Sequence, residues 1–408
     1  MTTEPDNIET LRGYLAEHPE HRPIVPRGPG LGLGGRMGAL AAVSAMRAVE
    51  RLGIEAAAVQ ASVFRELRPE FVEAENTFVE YKGIGRVPVG HTGMTIRGQF
   101  LQAVRERVRN GITAAYVADA DHIPLRSDRP ADIAEFRQFI VESRDRTFFT
   151  VDPHLCVDDS AAQPGDKLGR LVAAFTRAAD VIGEVKQEAP YVIELSIDEC
   201  VGVTSVAEMR FLIERIAQRD VPLFSIAPAI GFDKKDQDDP ELRRYLQRVL
   251  PELHRVACDH GMVLGIHSGD GKGDDTLGLI AEATEGKVWY KVSPDRQRMF
   301  FTVLADSPHG SDERRLFEDV FEHLVEMVRQ MSESGDSEFA ANCRASLAEL
   351  KEEYNGQPTS DCRMFHDFGF LLVRDYKDQF DALGDDFVRR YVDADINYIE
   401  NLARQLGM

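Results

Sequence analysis

Short, nearly continuous apolar runs alternate along the first three quarters of the chain with longer stretches whose apolar residues recur at helical spacing. The runs at residues 23–26, 56–63, 114–118, 147–151, 191–197, 222–227, 261–266 and 288–292 predict strands. The periodic stretches at 8–15, 39–52, 98–108, 132–143, 168–187, 206–218, 241–258 and 275–284 predict helices. Between them, residues 67–97 mix Pro, Gly and aromatic residues and read as an excursion from the scaffold. Strands that are apolar on both faces belong to a parallel sheet covered by helices, and about eight of them favour a closed (β/α)8 TIM-type barrel over a doubly wound open sheet. From residue 307 onward the pattern is helical without strands. The expected organisation is therefore a barrel over residues 1–306 with a C-terminal helical extension, 307–408, packed on it as one functional unit.

Polar chemistry gathers where these runs end, which on an α/β scaffold is where ligands sit. The run at 261–266 discharges into His267-Ser-Gly-Asp-Gly-Lys272, and the run at 114–118 into Asp119-Ala-Asp-His122. Asp152 follows the next run, and Asp233 follows the one at 222–227. Two imidazoles, His122 and His267, with the Asp233 carboxylate would suit a divalent ion with open coordination positions. Each also has a plainer reading as a hydrogen-bonded polar residue at a strand end. Glu194 stands inside an otherwise apolar run, where it must face the lumen or be heavily desolvated. Burial there would raise its pKa and suit it to proton transfer, and the alternative is a structural ion pair with an interior base such as Lys291. Asp198 and Glu199 read as a helix cap.

The stretch Gly30-Leu-Gly-Leu-Gly-Gly-Arg-Met-Gly38 formally matches the dinucleotide fingerprint, but Pro23, Pro26 and Pro29 spoil the strand that should precede it. It reads instead as a flexible loop whose amides, with Arg36, face an anionic part of a substrate, or simply as a strand-to-helix turn.

Composition narrows the function classes. A formal charge of −21 disfavours a polyanionic partner such as nucleic acid, while leaving room for a small anion held by a local Arg or Lys. The five cysteines form no CxxC pair, so neither a disulfide framework nor a thiolate zinc site is indicated, and a reducing cytoplasm is the simplest compartment. No apolar run approaches the roughly 20 residues of a membrane helix. The acidic start Met1-Thr-Thr-Glu-Pro-Asp is unlike a signal peptide, and a homo-oligomer is left open.

Taken in order, Ala118-Asp-Ala-Asp-His122, Phe149-Thr-Val-Asp-Pro153, Glu194-Leu-Ser-Ile-Asp-Glu199, Gly231-Phe-Asp-Lys234 and His267-Ser-Gly-Asp-Gly-Lys272 resemble the tagaturonate epimerase family. The glycine stretch with Gln60-Ala-Ser-Val63 and a weaker echo at Arg363-Met-Phe-His366 extend the likeness. Members of that family are metal-dependent enzymes that interconvert D-tagaturonate and D-fructuronate. The resemblance implies His122, Asp233 and His267 as ligands of a divalent cation (Mn, Ni or Zn), with Asp233 standing where the family more usually has Glu. It further implies Asp121 as proton acceptor and Glu194 as proton donor. Arg36, Gln60, Arg65, Asp152, Lys272, Lys291 and His366 are the candidates for holding the sugar acid. A metal-dependent aldolase or sugar isomerase would use the same set, and a non-catalytic sugar-acid sensor would keep only the binding.

Overall fold

The computed structural model describes residues 8–63, 66, 78–81, 85–88, 90–157, 164–200, 202–232, 240–333 and 338–408. Arg65 and Asp233, both site candidates, lie outside the described residues. Ten strands are present in them: β1 (Gly30–Gly34), β2 (Glu55–Ser62), β3 (Phe78–Tyr81), β4 (Gly85–Pro88), β5 (Ala118–Pro124), β6 (Phe148–Asp152), β7 (Val192–Ser196), β8 (Leu223–Ala227), β9 (Val263–Ile266) and β10 (Val288–Val292). Eight of these close a barrel in the order β1-β10-β9-β8-β7-β6-β5-β2, and β3 and β4 form a separate antiparallel pair within the excursion. Every barrel pairing is parallel and helices intervene, so the fold is a (β/α)8 barrel.

Two strand expectations are corrected. Residues 23–26 form no strand, and the first five residues of the glycine stretch, Gly30–Gly34, are β1, buried along its whole length, while residues 36–38 keep the expected turn into the helix Ala39–Leu52. Its leucines, Leu31 and Leu33, join the main core, while its glycines leave room inside the barrel. A Cβ on Gly30 would lie 2.8 Å from the Trp289 ring, and one on Gly32 would lie 2.5 Å from Lys291 Cγ and 2.6 Å from Gln60 Oε1. The dinucleotide reading falls with this placement, because that fingerprint needs its glycines in the turn between strand and helix. The second correction is β5, which starts at Ala118 and carries Asp119, Asp121 and His122 within the strand rather than after it.

Aromatic side chains plug the barrel floor. Phe148, Phe224 and Trp289 meet edge to face, with ring centroids 5.3–5.6 Å apart. Above them the register sets Thr150 on β6 beside Glu194 on β7, and Glu194 beside Ser225 on β8. Lys291 enters from β10 opposite the gap at Gly32, with its ammonium 5.4 Å from the Phe148 ring centroid. A polar layer thus rests directly on an apolar one, which seals its lower side from water.

The C-terminal helices cover one side of the barrel. The helix Asp385–Gln405 packs on the helices Ala39–Leu52 and Pro294–Ala305. A buried ion pair fixes that contact: Arg296 donates from Nε to Asp395 Oδ1 at 3.0 Å and from Nη2 to Asp395 Oδ2 at 2.5 Å. Arg296 also donates to the Gly34 carbonyl at the end of β1, tying the extension to the mouth of the barrel. Truncating one partner of such a pair strands the other charge in the interior. Arg296→Met is expected to lower unfolding free energy by about 3–5 kcal/mol in a denaturant titration. The double variant R296M/D395L should regain part of the loss; an R296M midpoint unchanged from wild type would contradict the role given to the pair.

Among the described residues no helix is long and apolar enough to cross a membrane.

Candidate active site at the barrel mouth

In a regular strand, consecutive side chains point to opposite faces, so Asp121 and His122 should not share the lumen. They do so because β5 is irregular between Ala120 and Ile123, and His122 takes a left-handed φ of +50°. A bulge of this kind re-aims a side chain and is costly for a non-glycine residue. His267 reaches the same mouth from the end of β9, followed by Ser268 at φ +54°. The two imidazoles meet edge to face with centroids 5.3 Å apart.

Lys291 is the hub beneath them. Its ammonium lies 2.6 Å from Glu194 Oε1, 2.9 Å from Asp121 Oδ1 and 3.2 Å from Asp119 Oδ2, and it donates to Thr150 Oγ1 at 2.6 Å. Glu194 also takes a hydrogen bond from the Ser225 hydroxyl at 2.7 Å and from His267 Nε2 at 2.8 Å. Gln60 Nε2 donates to Asp121 Oδ2 at 2.9 Å. On the outer side, His122 Nδ1 lies 2.9 Å from Asp152 Oδ2, and His267 Nδ1 lies 3.2 Å from Asp198 Oδ1.

These contacts reverse one sequence expectation. Burial alone would raise the Glu194 carboxyl, but Lys291 and His267 outweigh it and hold Glu194 down to about 2. The plainer alternative, an ion pair of Glu194 with Lys291, is what the structure contains. Asp121 is treated the same way: burial opposes ionisation, and His122, Lys291 and His267 together keep it far below the usual carboxylate range. Asp119 does rise, by burial reinforced by the neighbouring charges of Asp121 and Glu194, and on the cleft wall burial raises Glu199 and Asp270 as well. Burial would also lower both imidazoles, yet Asp121 and Asp152 lift His122 to about 9, and Asp198 and Glu194 lift His267 to about 10.

A half-open cleft lies over this layer. Of the predicted site residues, Arg36, Gln60, Asp121, His122, His267 and Lys291 stand on its wall, with Glu194 directly beneath. Arg36 is buried, donates to Gln297 Oε1 at 3.2 Å and lies over the Phe370 ring at 5.1 Å. Burial pushes its pKa down to about 10, and it forms no ion pair among the described residues. Asp152 stands behind His122 rather than on the wall.

Lys272 and His366 are also absent from the wall. Lys272 turns to the Asp270 carbonyl, 2.9 Å away, and lies over Phe232, while His366 contacts Asp367 at 2.9 Å. Asp270, Asp295 and His366 offer ligand atoms all within 4.8 Å of one another, so this triad could hold a cation, although Asp270 already accepts backbone N–H groups from Ser293 and Asp295. Sequence reasoning passed over Asp119, Thr150 and Ser225, and took Asp198 and Glu199 for a cap although both stand on the wall. The period-two step from Asp119 to Asp121 was the available signal.

No protein-family model matches the chain, and no curated protein matches its sequence. Solved structures do match. The native crystal structure of fructuronate-tagaturonate epimerase UxaE from Cohnella laeviribosi aligns over 98% of this chain and 86% of that one, at 18% identity and a TM-score of 0.66. The likeness is one of fold. A two-glycerol complex of the same epimerase aligns over 98% of this chain and 84% of that one, at 18% identity and a TM-score of 0.61. A probable tagatose 6 phosphate kinase from Sinorhizobium meliloti 1021 aligns over 92% of this chain and 99% of that one, at 14% identity and a TM-score of 0.53.

Proposed function

We propose that this protein is a divalent-metal-dependent epimerase of a keto sugar acid, interconverting D-tagaturonate and D-fructuronate or a close relative. The observation that carries this reading is the meeting of Asp121 and Glu194 on one buried ammonium, directly below two adjacent imidazoles. Arg36, a wall guanidinium without a carboxylate partner among the described residues, supplies the charge that a substrate carboxylate would require. The motif resemblance and the fold shared with UxaE favour the same substrate class.

The residues fit a cation. His122 and His267 each commit one ring nitrogen to a carboxylate, the arrangement that orients metal-binding histidines. That leaves His122 Nε2, 3.8 Å from Asp121 Oδ2, and His267 Nδ1, which has an ion-pair contact of 3.2 Å with Asp198 Oδ1 but no well-formed hydrogen bond. Asp198 is the described carboxylate beside them, and Asp233 is the third ligand that the resemblance implies. Both imidazoles are held protonated when no cation is present, so binding would release protons and strengthen as pH rises. A bound cation would supply Lewis-acid polarisation of the substrate ketone.

The stereocentre that separates tagato from fructo configuration is β to the ketone, so its C–H is not acidified by enolate resonance. Inversion by retro-aldol cleavage avoids that difficulty. Asp121 removes the proton of the β-hydroxyl, and the bond from the hydroxyl-bearing carbon to the α-carbon breaks. Its electron pair passes into the ketone half as an enediolate, and the other half becomes an aldehyde. Lys291, between Asp121 and Glu194, balances the negative charge of this step. The aldehyde turns and the bond re-forms on its opposite face; the new alkoxide takes a proton from the Lys291 ammonium, which Glu194 holds in place, and Asp121 passes the proton it took up back to Lys291 across their 2.9 Å contact.

The test is NMR of products after incubating the protein with hexuronate-derived keto acids and Mn²⁺, Ni²⁺ or Zn²⁺. Conversion of D-fructuronate or D-tagaturonate to its epimer without lost fragments is expected. Accumulated three-carbon fragments would make the protein an aldolase instead, and unchanged substrates across the panel would overturn the reading.

A further inference from the structure

Many (β/α)8 enzymes that act on phosphorylated substrates hold the phosphate at the loops after the seventh and eighth strands, on backbone N–H groups at a helix start. Here those strands are β9 and β10, and the helix Pro294–Ala305 begins just after β10. The place is present and borders the cleft through Ser268, Asp270, Ser293 and Pro294. The N–H groups of Gly269, Gly271, Ser293 and Asp295 there are already used.

Asp270, in the loop after β9, is 3% exposed and caps this helix start from within the chain. Its Oδ1 accepts from Ser293 N and Asp295 N, each at 2.9 Å, and its Oδ2 lies 3.1 Å from Ser293 N. Pro294, between them, has no N–H to offer. Asp295 answers from the other side, taking the Gly271 N–H on Oδ2 at 2.7 Å and the Tyr398 hydroxyl on the same oxygen at 3.1 Å. Gly269 N is likewise committed, to the Lys291 carbonyl at 3.1 Å. The one nearby ammonium on this loop, Lys272, is turned onto the Asp270 carbonyl. An incoming phosphate would meet the Asp270 and Asp295 carboxyl groups where other barrels present amides; the cations that act on Asp270, Arg36 and His366, already offset its charge, and the phosphate oxygens would compete with Asp270 for the same two N–H groups.

We infer that Asp270 is a specificity-determining residue: by occupying the barrel's phosphate cradle with an internal carboxyl group, it restricts the cleft to unphosphorylated sugars. The inference rests on the reading of the cleft as a sugar-acid site, and it adds the residue that rejects phosphorylated ketoses. Such rejection works through an unfavourable contact with the wrong ligand rather than a better one with the right ligand.

Calorimetric titration of the full chain tests it, with inorganic phosphate, a hexulose 6-phosphate and an unphosphorylated keto hexuronate as probes. Wild type should bind the hexulose phosphate at least about tenfold more weakly than the keto hexuronate and show no saturable phosphate binding. Asp270→Gly, which empties the cradle, should gain phosphate affinity by about tenfold or more. Asp270→Asn, which keeps the shape and removes the charge, should fall between, with circular dichroism confirming that each variant is folded. Wild-type protein that binds phosphate or the hexulose phosphate as tightly as the keto hexuronate would overturn the inference, whatever becomes of the variants. So would a folded Asp270→Gly variant with no gain. If wild type ignores the keto hexuronate while Asp270→Gly gains phosphate, the assignment of Asp270 stands and the substrate reading falls.

Discussion

Lys291→Met should abolish turnover and lower unfolding free energy by about 3–5 kcal/mol, the cost of breaking a buried ion pair by removing one partner. Asp119, Asp121 and Glu194 all lie within 3.2 Å of its ammonium, and Asp119 and Glu194 are fully buried. Without the lysine, carboxylates packed above an aromatic floor repel one another and take up protons. The two proposed proton carriers would then no longer be anions held in place. Adding Asp119→Asn removes one of the stranded charges, so K291M/D119N should recover stability without recovering activity. That split separates the two roles of the lysine: a K291M protein that melts like wild type would show the network to be energetically idle, and one that still turns over substrate would remove Lys291 from the chemistry.

The second large effect is expected at Asp121, where Asp121→Asn should lower kcat by about 10²–10⁴-fold, the usual contribution of a general base. An amide keeps the shape and one acceptor for Gln60 or Lys291, so the fold and KM should change little. The same swap at Glu194 is different in kind. Glu194 answers to Ser225, Thr150, His267 and Lys291 at once, so Glu194→Gln should cost stability as well as rate. Steady-state kinetics beside thermal melting checks both variants. D121N activity within about tenfold of wild type would remove Asp121 from the proton-accepting role.

The barrel was legible because six of its strands are short, mostly apolar runs with at most a few polar residues each, separated by helical periodicity, a pattern that depends only on local sequence. β1 was not. A strand that alternates glycine with leucine has the hydropathy of a loop, and its glycines make sense only against Trp289 and Lys291, which arrive from the far end of the sequence. β5 was displaced for a related reason: a strand whose inward positions are Asp119 and Asp121 reads as the polar segment after a strand, when it is the strand. Among site residues, His122, His267, Asp121, Gln60, Lys291 and Arg36 did converge on one cleft. Lys272 and His366 did not: Lys272 turns to the Asp270 carbonyl in its own loop, and His366 contacts Asp367 in its own short helix. For Glu194 the sequence left a raised carboxyl and an ion pair with Lys291 both open, since the direction depends on whether a lysine and a histidine stand within hydrogen-bonding distance of a buried carboxylate.

The most direct test of the central claim is the divalent-cation content of purified protein, measured by elemental mass spectrometry after loading with Mn²⁺, Ni²⁺ or Zn²⁺ and exhaustive dialysis. Wild type should retain about one equivalent per chain, and the folded double variant H122A/H267A should retain none. A double variant that keeps its full complement would show that the cation sits elsewhere, with Asp270, Asp295 and His366 the alternative the fold offers, and the imidazole pair at the barrel mouth would lose its assigned role.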